Sequence, residues 1–339
     1  MLEPAAASAA APIDAVVLWV DGDDAAHRAR LDAYLATLGR ARPPAAAPTR
    51  FHSLGEVDYC VSALLRFAPF VRCVHVVTDR QRPTLFDAAA AWPAAQRDRL
   101  RLVDHREIFV GFEDCLPSFN SRSIESLIHR IPGLAEQFVY LNDDFLLVRP
   151  LQREDWFVDG RPLLRGRWPT PPALRWPRRL RRALSEWSGR PPRDRAPSHL
   201  DAQARAATAA GWQDRFFAQA HHPHPTRRST LERWFADHPE RLRANVEPRL
   251  RSDRQLLPLS LAVHLELAQG GAPRSDDARL VYVKAASYSA ARVRRCLARA
   301  ETDTRVLYLC LQSLDGAPAA LQHEVLDWCE RLIGRPAAA

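Results

Sequence analysis

The sequence predicts an α/β protein built on a largely parallel sheet. Short apolar runs rich in β-branched residues alternate with longer stretches of helical spacing, the pattern of βαβ units. Three of the runs end at or contain acids: "WVDGDD", "VVTDRQ" and "YLNDD". Open α/β sheets collect functional groups at the carboxyl ends of their strands, so three such ends point to one shared polar cleft.

The elements follow in order. Residues 1–12 are Ala/Pro-rich and predict a disordered N-terminus, with a single domain over 13–339. "IDAVVLWV" (13–20) predicts a buried strand that stops at the turn "DGDD". "AAHRARLDAYLATLGRA" has helical spacing, and "FHSLGEVDYCVSALLRFAPFV" predicts an amphipathic helix stopping near Pro69. "RCVHVVTD" (72–79) and "RLRLVDHREIF" predict two further strands. "NSRSIESLIHRIPGLA" predicts a helix capped by Asn120 or Ser121. "QFVYLNDDFLLV" predicts one more buried strand, interrupted at Asn142-Asp143-Asp144. An Arg/Pro-rich segment, 165–200, predicts an insertion or lid, and 201–268 is mainly helical. "RLVYVKAA" and "TRVLYLCLQ" then predict strands, and "ALQHEVLDWCERLIG" a terminal helix.

Composition bounds the function. A chain of 339 residues with 47% hydrophobic content can bury a sizeable core. Segment 165–200 holds ten Arg against Glu186 and Asp194, so its excess equals the net charge of the whole chain, +8. That segment reads either as a solvated lid or as a patch for peripheral contact with a membrane surface or a polyanion. Its prolines argue against one long amphipathic helix, and nucleic acid is not an expected partner. None of the six Cys forms a C-x-x-C pair, which predicts buried thiols in a reducing compartment. The N-terminus lacks a basic signal region and no apolar run reaches 18 residues, so the expected location is cytoplasmic. Phosphate-binding glycine loops of the G-x-x-x-x-G-K-[ST] and G-x-G-x-x-G types are absent.

Three constellations carry chemistry. Alternation along a strand would put Asn142 and Asp144 on one face and Asp143 on the other. A naked buried carboxylate costs several kcal/mol or is protonated, so "YLNDD" reads either as a divalent-metal site or as a strand-end turn. "AHHPHP" offers His221, His222 and His224, readable as a solvated loop, a zinc site or a source of one general base. "RLRSDR" offers Arg249, Arg251 and Arg254, whose forks suit phosphate oxygens.

Taken together these motifs resemble the Stealth family, which includes capsular polysaccharide hexose-1-phosphate transferases and the α/β subunit of the lysosomal-enzyme GlcNAc-1-phosphotransferase. The first block is "DAVVLWVDGDD"; the second runs from "RFHSLGEVDYC" through "VVTDRQ" and "LPSFNSRSIE" to "YLNDDFLL"; the third pairs "AHHPHP" with "RLRS". The fourth, usually Asn-Asp after a short strand, is replaced by Gln312-Ser313, with Asp315 two residues on. The resemblance spans residues 13–315 and implies a GT-A-like (Rossmann-like) sheet flanked by helices. It implies a phosphotransferase that moves hexose-1-phosphate from a UDP-sugar to a glycan acceptor hydroxyl, releasing UMP, in capsule or exopolysaccharide synthesis. Catalytic roles fall by this match on His221 (base), Arg251 (phosphoryl oxygens), Asp143 and Asp144, the last two also holding Mg2+ or Mn2+. Substrate contacts fall on Trp19, Asp21, Gly22, Asp79, Asn120, Ser121, Glu125, Asn142 and Arg249. Two other readings stay open: a metal-dependent glycosyltransferase releasing UDP, and a non-catalytic glycan- or membrane-surface-binding relative.

Overall fold

In a computed structural model of the chain, the residues described are 11–39, 42–174, 176 and 198–334. Most of the basic 165–200 segment, and with it the expected membrane contact, lies outside them, as does the N-terminus before Ala11.

The main sheet has the order β3-β2-β1-β4-β9, from β1 (Ile13–Leu18), β2 (Val71–Thr78), β3 (Leu100–Asp104), β4 (Gln137–Asn142) and β9 (His224–Arg227). The first four run parallel and β9 is antiparallel to β4. Both faces are covered, which explains the continuous apolar runs. Ile13, Ala15 and Val17 of β1 and Val139 and Leu141 of β4 enter one core with the helix Glu56–Phe67. Val16, Leu18, Phe138 and Tyr140 enter a second core with Ile108, Leu127 and Ile131. On that second face Asp14 is fully buried, and its carboxylate accepts from both forks of Arg72, from His75 and from the Ala135 N–H.

A smaller sheet has the order β11-β12-β5, from β11 (Leu280–Lys284), β12 (Tyr308–Gln312) and β5 (Phe145–Leu147). Two short ladders, β6 (Phe157–Val158) with β7 (Arg161–Pro162) and β8 (Leu164–Arg165) with β10 (Arg274–Ser275), lie between the two sheets in sequence.

Three expectations are corrected. "QFVYLNDDFLLV" is two strands: β4 ends at Asn142, and β5 pairs antiparallel with β12 in the other sheet. Asp143 and Asp144 form the turn between them, so strand alternation does not extend through the pair. The helix expected over "NSRSIESLIHRIPGLA" is helical only over Ser121–Glu125, followed by a 3-10 turn Ile128–Arg130. Ser126 Oγ donates back to the Arg122 carbonyl, and Asn245 donates to Ser126; side chains there satisfy groups a longer helix would use. "HPTR", left inside a loop or site by the sequence, is the edge strand β9. The helix Ala290–Thr302 was not expected.

Candidate active site

The ends of β1, β2 and β4 open on one cavity of about 740 Å3 at the carboxyl end of the main sheet, which the acids of the last two line and those of "WVDGDD" do not. The strand order reverses between β1 and β4 (β1 leads on to β2 on one side and pairs with β4 on the other), and the crevice at such a reversal is where open α/β sheets bind ligands. Trp19, Asp79, Asn120, Ser121, Glu125, Asn142, Asp143, Asp144, His221 and Arg251 all line it. These residues come from six separate stretches of sequence.

The Asp143-Asp144 turn is clamped from both sides. The Leu311 N–H of β12 donates to the Asp144 carbonyl, and the Cys60 thiol lies 3.7 Å from the Asn142 carbonyl. The two carboxylates form a wall of the cavity, open to solvent on one side and packed in protein on the others. Burial pushes both carboxyls up, Asp144 to about 6, and the neighbouring Glu56 carboxylate adds to the rise. Asp144 Oδ2 accepts only a weak thiol contact from Cys310 at 3.6 Å, and its Oδ1 is buried with no partner among the described residues. Glu56 and Asp315 line the same wall.

Opposite stands a cationic wall. Arg251 donates to Ser121 Oγ at 2.8 Å. Arg50 lies close enough for Arg251 to depress its basicity, after burial, and both face the cavity. Arg122, buried and holding the Ser252 carbonyl at 2.9 Å, is pushed down to about 10 by burial and by Arg251. Clustered guanidinium groups that repel one another fit an anion with several oxygens.

His221 sits in the loop that enters β9 beside the end of β4. Burial first, then Lys284 and Arg251, push its imidazole below the usual range, so it is neutral at neutral pH. The other two histidines of the motif serve the scaffold. His222 meets the backbone carbonyls of Pro223 and Arg165 at 2.8 and 3.3 Å, and His224 Nδ1 meets Gln219 Nε2 at 3.0 Å. Among the described residues no three His, Cys, Asp or Glu side chains converge as a ready metal site, which removes the zinc reading of this motif.

Three expected contacts lie outside the cavity wall. Asp21 exchanges hydrogen bonds with Gln81 through its backbone, and its carboxylate accepts from the Asp23 N–H. Gly22 is pressed against Phe51: a Cβ there would sit 2.7 Å from the Phe51 backbone. Arg249 donates to the Asp114 carbonyl and covers the Tyr34 ring. These residues shape the loop behind the cavity and do not face it. Asn120, though at the wall, is fully buried and committed: it caps the Ser121–Glu125 helix and donates to the Pro248 carbonyl and Gln255.

Sequence reasoning missed Arg50, Glu56, His199, Tyr282 and Lys284, all at the cavity wall. A signal existed for two of them. In "LVYVK" Val281 and Val283 are buried in the core, which turns Tyr282 and Lys284 to the cavity side.

Fold and cleft together define an α/β protein with a polar site at strand carboxyl ends, carboxylate-rich on one side and guanidinium-rich on the other. The chain belongs to the Stealth family: residues 11–39 match Stealth protein conserved region 1 and residues 50–162 match conserved region 2. It is similar to an exopolysaccharide phosphotransferase of Streptomyces coelicolor, 46% identical over 149 residues (44% of this chain, 24% of that protein). A second from the same organism is 32% identical over 287 residues, 82% of this chain and 28% of that one. The capsular polysaccharide phosphotransferase WcwK of Streptococcus pneumoniae is 40% identical over 151 residues, 44% of this chain and 43% of that protein. The chain thus spans less than half the length of these curated relatives. Among solved structures, the galactosyltransferase LgtC in complex with donor and acceptor sugar analogs aligns at 13% identity with a TM-score of 0.42, over 94% of this chain and 96% of that one. No helix among the described residues is long and apolar enough to cross a membrane.

Proposed function

We propose that this chain transfers a hexose-1-phosphate unit from a UDP-sugar to a hydroxyl of a glycan acceptor, releasing UMP, in capsule or exopolysaccharide synthesis at the inner face of the plasma membrane. The observation that carries this reading is the meeting, in one cavity, of a neutral histidine, paired guanidinium groups and two adjacent carboxylates whose pKa values are raised by burial. Phosphoryl transfer asks for these parts: a base for the incoming hydroxyl, and positive charge around the phosphorus.

His221 accepts the proton of the acceptor hydroxyl as its oxygen bonds to the β-phosphorus. The bond from that phosphorus to the bridging oxygen breaks, and the electron pair leaves with UMP. Arg251 and Arg50 hold the diphosphate oxygens, and Ser121 fixes the Arg251 fork. Asp143 and Asp144 fit a hard divalent cation, Mg2+ or Mn2+. Two carboxylates plus substrate phosphates are the usual Mg2+ donor set, and Asp144 Oδ1 is buried with no hydrogen-bond partner among the described residues. Such an ion, when bound, supplies charge neutralisation to the diphosphate.

The test is incubation with a panel of UDP-sugars, Mg2+ and an oligosaccharide acceptor, resolving the nucleotide products. UMP with a new phosphodiester is expected. UDP as the product would mean glycosyl transfer instead, and no nucleotide release from any donor would favour a binding-only relative.

A further inference from the structure

A histidine that acts as a base is usually aimed by a hydrogen bond to its second ring nitrogen. His221 has no hydrogen bond among the described residues. Rings hold it instead. The Tyr282 ring lies face to face with it, centroids 5.2 Å apart and planes 8° from parallel. The His199 ring is stacked on it at 4.9 Å and 28°, and Phe145 meets it edge-on at 6.3 Å and 72°.

Tyr282 is itself fixed. β11 pairs in parallel with β12, placing Lys284 beside Gln312, and the Tyr282 hydroxyl donates to Gln312 Oε1. The Lys284 ammonium lies 5.7 Å from the Tyr282 ring centroid, which keeps a positive charge close to the imidazole.

We propose that Tyr282 is the positioning residue for His221, and that Gln312 holds Tyr282 in place for that task. The stack fixes the plane of the imidazole while leaving both ring nitrogens free for substrate. His199, Phe145, Lys284 and Arg251 are the other groups that face His221 from the elements packed on it. The inference rests on the reading of His221 as the base. Misplacing a reacting group by about 1 Å can cost on the order of a hundredfold in rate, so a ring that holds a base by stacking has a measurable share in turnover.

The test uses the full chain with Tyr282→Leu, Tyr282→Phe and Gln312→Leu. Tyr282→Leu is expected to lower kcat by about tenfold to a hundredfold with the donor KM changed less than about threefold. Tyr282→Phe and Gln312→Leu keep the ring and lose the anchor, so they fall between wild type and Tyr282→Leu. Independently of turnover, side-chain 13C relaxation spectra should show a rigid His221 ring in the wild type and a mobile one in Tyr282→Leu. Wild-type kcat in Tyr282→Leu, or a change confined to KM, would overturn the proposal, because Tyr282 would then be idle or a substrate contact. The spectra separate the two readings: if wild type releases no UMP yet the His221 signal depends on Tyr282, the transferase reading fails and the positioning role stands. A His221 signal indifferent to all three variants overturns the positioning role alone.

Discussion

The Cys310 thiol lies 3.6 Å from one oxygen of the Asp144 carboxylate, and the other oxygen has no hydrogen-bond partner among the described residues. A thiol is a weak donor, so this carboxylate is held in the cavity wall almost uncompensated. A cation that binds the folded chain alone raises its stability by about 2.7 kcal/mol at a hundred times its Kd. Mg2+ or Mn2+ with UDP should therefore raise Tm, and Asp144→Asn should abolish that shift and the turnover together. An unchanged Tm in wild type, with UDP and saturating metal, would remove Asp143 and Asp144 as metal ligands.

Arg50 and Arg251 should bind phosphates irrespective of the nucleoside. Arg50→Ala relieves a repulsion in the free protein and removes a diphosphate contact, so its Tm holds while affinity for UDP and for pyrophosphate falls together, by about tenfold or more. Calorimetric titration with both ligands decides it, and loss of UDP binding with pyrophosphate unchanged would contradict the assignment.

The acidic limb of the kcat/KM profile should report His221. Burial, Lys284 and Arg251 hold its pKa below the usual histidine value, so the base stays neutral and active until the pH falls below about 6.5. His221→Gln should lower kcat by about a hundredfold to ten-thousandfold. A limb lying above pH 7 would point to a different base.

Far from the cavity, Asp14 gives a stability test. Burial alone would raise its pKa, but hydrogen bonds from His75, Arg72 and the Ala135 N–H win and bring it to about 2. A carboxyl depressed in the folded state stabilises the protein above its unfolded pKa, and that contribution disappears as the pH falls through the folded value. From the model-peptide value of 3.8 to about 2, the difference corresponds to about 2 kcal/mol at neutral pH. Asp14→Asn should cost about that much in urea unfolding at pH 7, and markedly less near pH 2. An equal cost at both pH values would show that packing, and not charge, is what the substitution removes.

Gly22→Ala should disturb the cavity from behind. The added methyl would meet the Phe51 backbone at 2.7 Å, and backbone cannot move aside as a side-chain tip does. A loss of about 1–3 kcal/mol is expected, with weaker UDP binding because Arg50 adjoins Phe51. Wild-type Tm and affinity in Gly22→Ala would mean that the loop yields freely.

The strands of the main sheet were readable because β1, β2 and β4 are buried on both faces, which leaves continuous apolar runs. The end of β4 was not. Periodicity cannot register a two-residue turn, and β5 finds its partner in β12, more than 160 residues further along the chain. His221, Arg251, Asp143 and Asp144 were readable as motifs, and the structure brings all four to one cavity. Their roles come from the resemblance and from the chemistry of that cavity. Asp21, Gly22 and Arg249 do not line the cavity: nearness in a motif does not tell a residue that faces the cleft from one that shapes the loop behind it. Arg50 and His199 depend wholly on tertiary convergence, which no local pattern carries.

Asp143 and Asp144 belong to neither sheet, only to the seam where one ends and the other begins. Their placement is therefore set by how the turn is held against the second sheet, by the Leu311 N–H that donates to the Asp144 carbonyl and by the pairing of β5 with β12. Substitutions packed behind β12 would shift the carboxylate pair without touching the cleft. The second sheet is thus an adjusting screw for the first: its packing can move the two carboxylates from the far side of the core.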